Sequence, residues 1–253
     1  MRGGRGFTLT ELAVVLAIVG LLLGSLMYTL SAQIEQRNFE ETRRRLELAR
    51  ELLLSYAFVN GRLPCPAICT DAPTCTAGGG EAPTGGTTCT SSYGGFLPAR
   101  TIGYQQVDSG GYALDAWGNR IRYAVSATTW GTGAQFTKQH VASNTSAAWS
   151  ISTTPSDLVI CASATGITAT TCGTATIVTN QNVVVAIIFS TGKNGAFPCA
   201  TCTDEAANTN GDQVFVFHTP APTGAAGGEF DDQFTWLTVG ELYGKLIAAG
   251  VLP

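Results

Sequence analysis

Twenty-three residues without a charge, Leu12 to Ile34, follow directly on Glu11. As a helix rising ~1.5 Å per residue, the run reaches roughly 34 Å. That length crosses a bilayer core of ~30 Å with some tilt. Arg2 and Arg5 stand on its short side, a charge bias that keeps the first residues cytoplasmic and exports the bulk of the chain. A secretory signal peptide carries an apolar region of about 7–15 residues before a small-residue cleavage site. Here the run is longer, and Glu11 interrupts its start. A plain membrane anchor accounts for the length but gives Glu11 no reason to exist. A carboxylate at such a depth costs about 2.5–3.5 kcal/mol on insertion scales.

The segment Gly6-Phe7-Thr8-Leu9-Thr10-Glu11-Leu12 resembles the cleavage and methylation motif of type IV prepilins and type II secretion pseudopilins. The resemblance implies that a prepilin peptidase removes residues 1–6 by cutting after Gly6, that Phe7 becomes the N-methylated first residue, and that Glu11, then fifth, serves assembly. It further implies that Glu11 meets the N-terminal amine of a neighbouring subunit. Phe7 and Glu11 are four residues apart and share a helix face, and a carboxylate in the first turn suits the positive end of the helix. The same geometry lets Glu11 pair with its own N-terminus, and both readings stand. Many pilins kink this helix at a proline; here the first proline is Pro64. A straighter helix is expected, with Gly20 and Gly24 as its weak points. Their spacing suits a close helix contact, and equally fits two incidental glycines.

Residues 7–34 are thus expected to form a transmembrane, filament-core helix, and residues 35–60 an amphipathic continuation. Phe39, Leu46, Ala49, Leu53 and Tyr56 recur at helical spacing. Glu40 and Glu41 each precede an arginine by four residues, a supportive arrangement on an exposed face. Asn60-Gly61-Arg62-Leu63-Pro64 ends the helix. A helix over residues 7–59 is ~79 Å long, too long to bury itself in one domain, so residues 61–253 are expected to form a head outside the cytoplasm. Only 13% of residues are charged, 30 are glycine, and the net charge is −4. That composition suits a loop-rich β domain. Outside Arg43-Arg44-Arg45 no basic stripe exists, so nucleic acid is not an expected partner.

Within the head, residues 65–95 combine four cysteines with Gly78-Gly79-Gly80 and Gly85-Gly86, a loop with little to bury. Strand-like runs follow at Arg120–Ser126, Leu158–Cys161, Ala175–Thr179, Val183–Phe189 and Val214–His218. Thr238-Val239-Gly240-Glu241 is a capping-box pattern opening a short last helix with Leu242, Leu246 and Ile247 on its apolar face. The expected fold is α+β and pilin-like: a long N-terminal helix packed on an antiparallel β-sheet head, with a short C-terminal helix.

Cys65, Cys69, Cys75, Cys89, Cys161, Cys172, Cys199 and Cys202 all lie beyond the apolar run. An even count in an exported domain reads as up to four disulfides. Eight cysteines allow 105 full pairings, so connectivity stays open. Cys161 and Cys172 flank a small turn region and suit a hairpin-type bridge. Cys199-Ala-Thr-Cys202 sits in a Thr-rich loop after Pro198, a setting for a structural bridge rather than a thioredoxin-like redox pair.

Further segments carry a second resemblance. Asp115-Ala-Trp-Gly118-Asn119 looks like the Asp-x-Trp-Gly segment that opens the sheet of secretion pseudopilins. Ser190-x-Gly-Lys-Asn-Gly195 and Phe230-Asp231-Asp232-x-Phe-Thr-Trp236 are similar to the final loop of major pseudopilins, which binds calcium. That resemblance implies a possible calcium site, for which Asp204, Asn208, Asp212, Asp231 and Asp232 are the candidates. Residues 204–212 also offer Glu205 and Asn210, oxygen donors of the kind calcium takes in sets of six to eight; their spacing is not that of an EF-hand. The long loop insertion and the cysteines depart from an ordinary major subunit.

No P-loop or dinucleotide fingerprint occurs. Ser190-Thr-Gly-Lys193 has the serine-to-lysine spacing of penicillin-binding enzymes without their companion motifs. His140 and His218 stand in no motif. A non-enzymatic role is expected: a structural subunit, minor pilin or pseudopilin, held in the inner membrane with its head in the periplasm before filament assembly. Its partners are then the prepilin peptidase and other subunits, met through the N-terminal helix. The alternative is a filament-tip binding module whose stapled 65–95 loop contacts a surface, secreted cargo or DNA.

Overall fold

The computed structural model describes residues 8–69, 75, 78–84, 88–128, 136–137, 156–195 and 199–250, with the side chains of residues 23 and 25–30 outside that set. Gly6 and Phe7 therefore lie outside the described residues. Two compact units emerge, Met1–Glu41 and Thr42–Pro253.

Helix α1 runs Leu9–Asn60 and supplies the described part of the first unit. There Leu9, Leu12, Val14, Leu16 and Leu21 are exposed. Among the described residues no helix is long and apolar enough to cross a membrane. The uncharged run of α1 includes residues 23 and 25–30, whose side chains lie outside that set.

In the second unit α1 turns Leu46, Ala49, Leu53, Leu54 and Ala57 into the core. Of the stripe expected from the spacing, Leu46, Ala49 and Leu53 enter this core, Leu54 and Ala57 join them, Phe39 is half-buried in the first unit, and Tyr56 is only partly buried, its hydroxyl donating to Glu81 Oε1. The helix ends where expected, and Gly61 follows at φ 66°, the left-handed conformation glycine adopts without strain.

Short elements come next: β1 Pro83–Thr84 pairs with β2 Thr88–Cys89, then β3 Gly95–Phe96 and α2 Ala99–Ile102. The main sheet adds β4 Arg122–Val125, β5 Leu158–Cys161, β6 Ile177–Ser190, β7 Val214–Val216 and β8 Gln233–Thr238. Its order is β3-β4-β6-β5-β7, with β8 also pairing β6. Helix α3 is Thr203–Thr209 and α4 is Val239–Ala248.

The sheet departs from expectation in three respects. It is not wholly antiparallel, because β5 and β7 run parallel. Parallel neighbours need a crossover, which β6 and α3 supply. The expected runs at 175–179 and 183–189 merge into one strand, β6, which starts at Ile177 and leaves Ala175 and Thr176 outside it. Asn182 lies inside it at φ 70°, and asparagine is among the few residues that tolerate that region. Finally, β8 is a strand where the sequence resemblance pointed only to a loop.

Core residues sit on both faces of the sheet. Tyr123, Val125, Val185, Ala186, Ile188 and Leu237 join α1 and α4 in one cluster. Ala124, Leu158, Ile160, Val184, Ile187 and Phe189 join Phe215 in the other. Alternation along β6 slips at Val185–Ala186, which both enter the first cluster. The β6–β8 register shifts there, between Val184 and Ala186, so an inserted residue resets which side chains face which layer.

Candidate functional site

The Asp-x-Trp-Gly segment forms a side-chain-closed turn. Asp115 Oδ1 accepts from the amides of Trp117 and Asn119, at 2.9 and 2.8 Å. Its Oδ2 accepts from the Ser190 hydroxyl at 2.6 Å, tying the turn to the end of β6. The turn also holds α1: Arg45 Nη1 donates to the Leu114 and Asp115 carbonyls, and the Ala116 amide donates to Thr42 Oγ1. Asn119 Nδ2 reaches the Gly192 carbonyl at 2.6 Å, so the segment beyond β6 is fixed from below. Its residues Lys193 and Asn194 meet a cluster of acids.

Glu205, Asp231 and Asp232 bring their carboxylate oxygens within 4.8 Å of one another. Asp231 Oδ2 accepts from the amides of Lys193 (2.8 Å) and Asn194 (3.3 Å). Glu205 Oε1 accepts from the Asp231 amide at 2.9 Å, and Asn194 Nδ2 donates to both Glu205 oxygens. Asp232 is 4% exposed, and its Oδ2 accepts from Asn208 Nδ2 at 2.7 Å. The Oδ1 atoms of Asp231 and Asp232 are buried with no hydrogen-bond partner. Gly192, at φ +61°, lies where a side chain would strike the Asp231 carboxylate, so this close approach requires glycine.

Burial, the largest cause in each case, raises all three acids above their ordinary range. For Glu205 the hydrogen bonds from Asp231 and Asn194 oppose it, and for Asp231 those from Lys193 and Asn194 do. Asp232 rises furthest: Asn208 and the Arg122 guanidinium pull it down, while Glu205 and Asp231 push it further up. Arg122, Asn194, Glu205 and Asp232 line a cavity of about 160 Å³ together with Cys199 and Cys202.

The structure therefore brings together two of the five expected ligands, Asp231 and Asp232, and adds Glu205. Asn208 reaches the site as a donor, through its Nδ2 bond to Asp232, while its Oδ1 accepts from the Val216 amide and its Nδ2 also donates to Val216 O. Asp204 accepts instead from the Ala164 amide at 2.6 Å and lies 3.2 Å from His218 Nε2. Asp212 accepts from the Val214 amide and Asn210 Nδ2. Only the rotation of α3 distinguishes Glu205 from its neighbour Asp204, which the linear sequence cannot show.

All eight cysteines are paired: Cys65–Cys89, Cys69–Cys75, Cys161–Cys172 and Cys199–Cys202. The first two staple the loop that follows α1. The third closes the β5–β6 turn region and packs with Val159 and Val214.

At the other end of the chain, Glu11 sits in the first turn of α1. Its Oε2 accepts from the Thr8 amide and hydroxyl, both at 2.9 Å, while the Glu11 amide donates to Thr8 Oγ1 at 3.3 Å. Thr8 and Glu11 thus form a reciprocal capping box. The sequence reading gives Glu11 an amine partner and a place at the positive end of the helix; the exchange with Thr8 is the addition, although Thr8-x-x-Glu11 is the pattern that announces it.

A family model described as the prokaryotic N-terminal methylation motif matches residues 1–27. No curated protein and no solved structure matches the chain. The chain opens on the methylation motif that is the hallmark of type IV pilin-like and pseudopilin proteins.

Proposed function

We propose that the protein is a filament subunit, a minor pilin or pseudopilin of a type IV pilus or type II secretion system. In this reading a prepilin peptidase cuts after Gly6 and methylates Phe7, and the run from Leu12 to Ile34 holds the chain in the inner membrane with its head in the periplasm. The helix then leaves the lipid by packing in a filament. The observation that carries the reading is the methylation motif at residues 1–27, which takes in the first part of the uncharged run Leu12–Ile34.

The capping box bears on how Glu11 would act in assembly. While the subunit waits in the membrane, Thr8 satisfies two of the carboxylate's acceptor positions. Loss of such a cap costs about 1 kcal/mol. A charge at membrane depth without a partner costs about 2.5–3.5 kcal/mol. Exchange of Thr8 for a neighbour's amine is therefore a small step, and Glu11 is held ready without being left bare. Mass spectrometry of the mature chain tests the reading: it should start at an N-methylated Phe7, and Gly6→Leu should leave Met1 in place. Glu11→Gln should be processed yet enter filaments poorly; a chain that keeps Met1 in the wild type removes the proposal.

The carboxylate cluster favours a second property in the same head: a hard divalent cation, calcium, held by Glu205, Asp231 and Asp232. Two buried carboxylate oxygens without partners and three acids in reach of one ion fit oxygen ligation. An ion there would offset the repulsion and burial that raise these acids. Calcium should raise the melting temperature, and Asp232→Asn should remove that response. Equal melting with calcium and with a chelator would retire it.

A further inference from the structure

Helix α3 carries Glu205 in its first turn, yet it is only seven residues long and its N-cap, Cys202, makes no side-chain cap hydrogen bond. A helix so short has no stability of its own in water, so something else must fix its start. The Cys199–Cys202 bridge stands at that start. The Cys202 amide donates to the Cys199 carbonyl at 3.2 Å, and the Ala206 amide donates to the Cys202 carbonyl at 3.0 Å. Both cysteines line the cavity that Glu205 and Asp232 enter.

The second half of the cluster rests on the same residue. Gly228, at φ +92°, lies so close that an added Cβ would fall 2.5 Å from the Cys202 Cα. The Asp204 amide donates to the neighbouring Gly227 carbonyl at 3.3 Å. Three residues beyond Gly228 the chain reaches Asp231 and Asp232. The N-cap of the helix that carries Glu205 is therefore packed against the backbone that leads to the two aspartates.

We propose that the Cys199–Cys202 bridge is the positioning element of the carboxylate cluster, so that opening it separates Glu205 from Asp231 and Asp232 and weakens cation binding. The binding part rests on the calcium reading above; the positioning part does not. Opening is a two-electron reduction: a dithiol reagent breaks the S–S bond, leaves two protonated thiols and becomes a cyclic disulfide itself.

The experiment uses the full chain in detergent, as wild type and as the Cys199→Ser, Cys202→Ser double variant. In calcium-free buffer, hydrogen exchange should speed up by about 10-fold or more at the Asp231, Lys193 and Asn194 amides, with β6 amides unchanged. The calcium concentration giving the half-maximal melting shift should rise by roughly 10–100-fold, the size expected when support behind a ligand is lost. Unchanged exchange at Asp231 would overturn the positioning claim, and an unchanged calcium midpoint would overturn its link to binding. A wild-type chain indifferent to calcium removes the cation reading alone, and exchange then decides the positioning claim. If the double variant does not melt cooperatively, wild-type protein reduced at Cys199–Cys202, as mapped by alkylation, carries the same two measurements.

Discussion

Glu81 sits at the foot of α1 in a loop otherwise poor in charge. Arg62 approaches it with both terminal nitrogens, at 2.7 and 2.8 Å, and the Cys65 amide and Tyr56 hydroxyl also donate to it. Burial works against the ionised acid. The Arg62 hydrogen bonds and charge, with those two donors, outweigh it and hold the carboxyl below its ordinary value of 4.5. A lowered folded value means that this stability is present above the unfolded value and is lost as pH falls through the folded one. Glu81→Gln should therefore be less stable than wild type at about pH 7, and its melting temperature should decline less steeply on acidification below about pH 4.5. Melting curves followed by circular dichroism across that range check both. Asp115 answers to a different balance. Burial raises its pKa, against the opposing bonds of Ser190, Asn119 and Trp117. Its loss in Asp115→Ala would leave buried donors unpaired, at about 1–3 kcal/mol each in denaturant unfolding.

Among the elements, α1 shows how a sequence stripe becomes packing. Leu53 is fully buried between α1 and the sheet. Truncating such a side chain removes its contacts and leaves a cavity. Leu53→Ala should lower the unfolding free energy by about 2–5 kcal/mol, read from urea titrations, with the larger end expected if the neighbouring strands cannot collapse inward. Helix α4 was foreseen from its first four residues. The Thr238 side chain accepts from the Glu241 amide and Glu241 returns to the Thr238 amide. Glu241 also pairs with Arg50 of α1, so one residue both starts α4 and attaches it to α1. Thr238→Ala should cost about 1 kcal/mol in the same titration. The strands were less legible. β8 buries Gln233, Thr235 and Leu237 and leaves the aromatic Phe234 and Trp236 half-buried, the reverse of the alternation its residues present, so its facing is set by the neighbouring layers rather than by its own pattern.

For the whole molecule, the bridges tie covalently what the core leaves thin. Cys65–Cys89 spans 24 residues and Cys161–Cys172 spans 11. Closing loops of about this size stabilises a fold by roughly 2–4 kcal/mol, mainly by restricting the unfolded chain. Full reduction should accordingly lower the head's melting temperature by about ten degrees or more (roughly 2–4 °C per kcal/mol for a domain of 150–250 residues). An unchanged melting temperature after verified reduction would show that the core alone suffices.

What the linear chain determined by itself is the part governed by local rules. An uncharged run beside Glu11, helical spacing in α1, a capping box at Thr238 and a glycine after Asn60 each act over a few residues, and all are visible without a fold. Tertiary structure alone decided the cysteine pairing, the parallel β5–β7 neighbours and the choice of Glu205 over Asp204. Each depends on which distant backbones meet, and that is set by how the sheet buries its two faces, a property of the assembled chain rather than of any one segment.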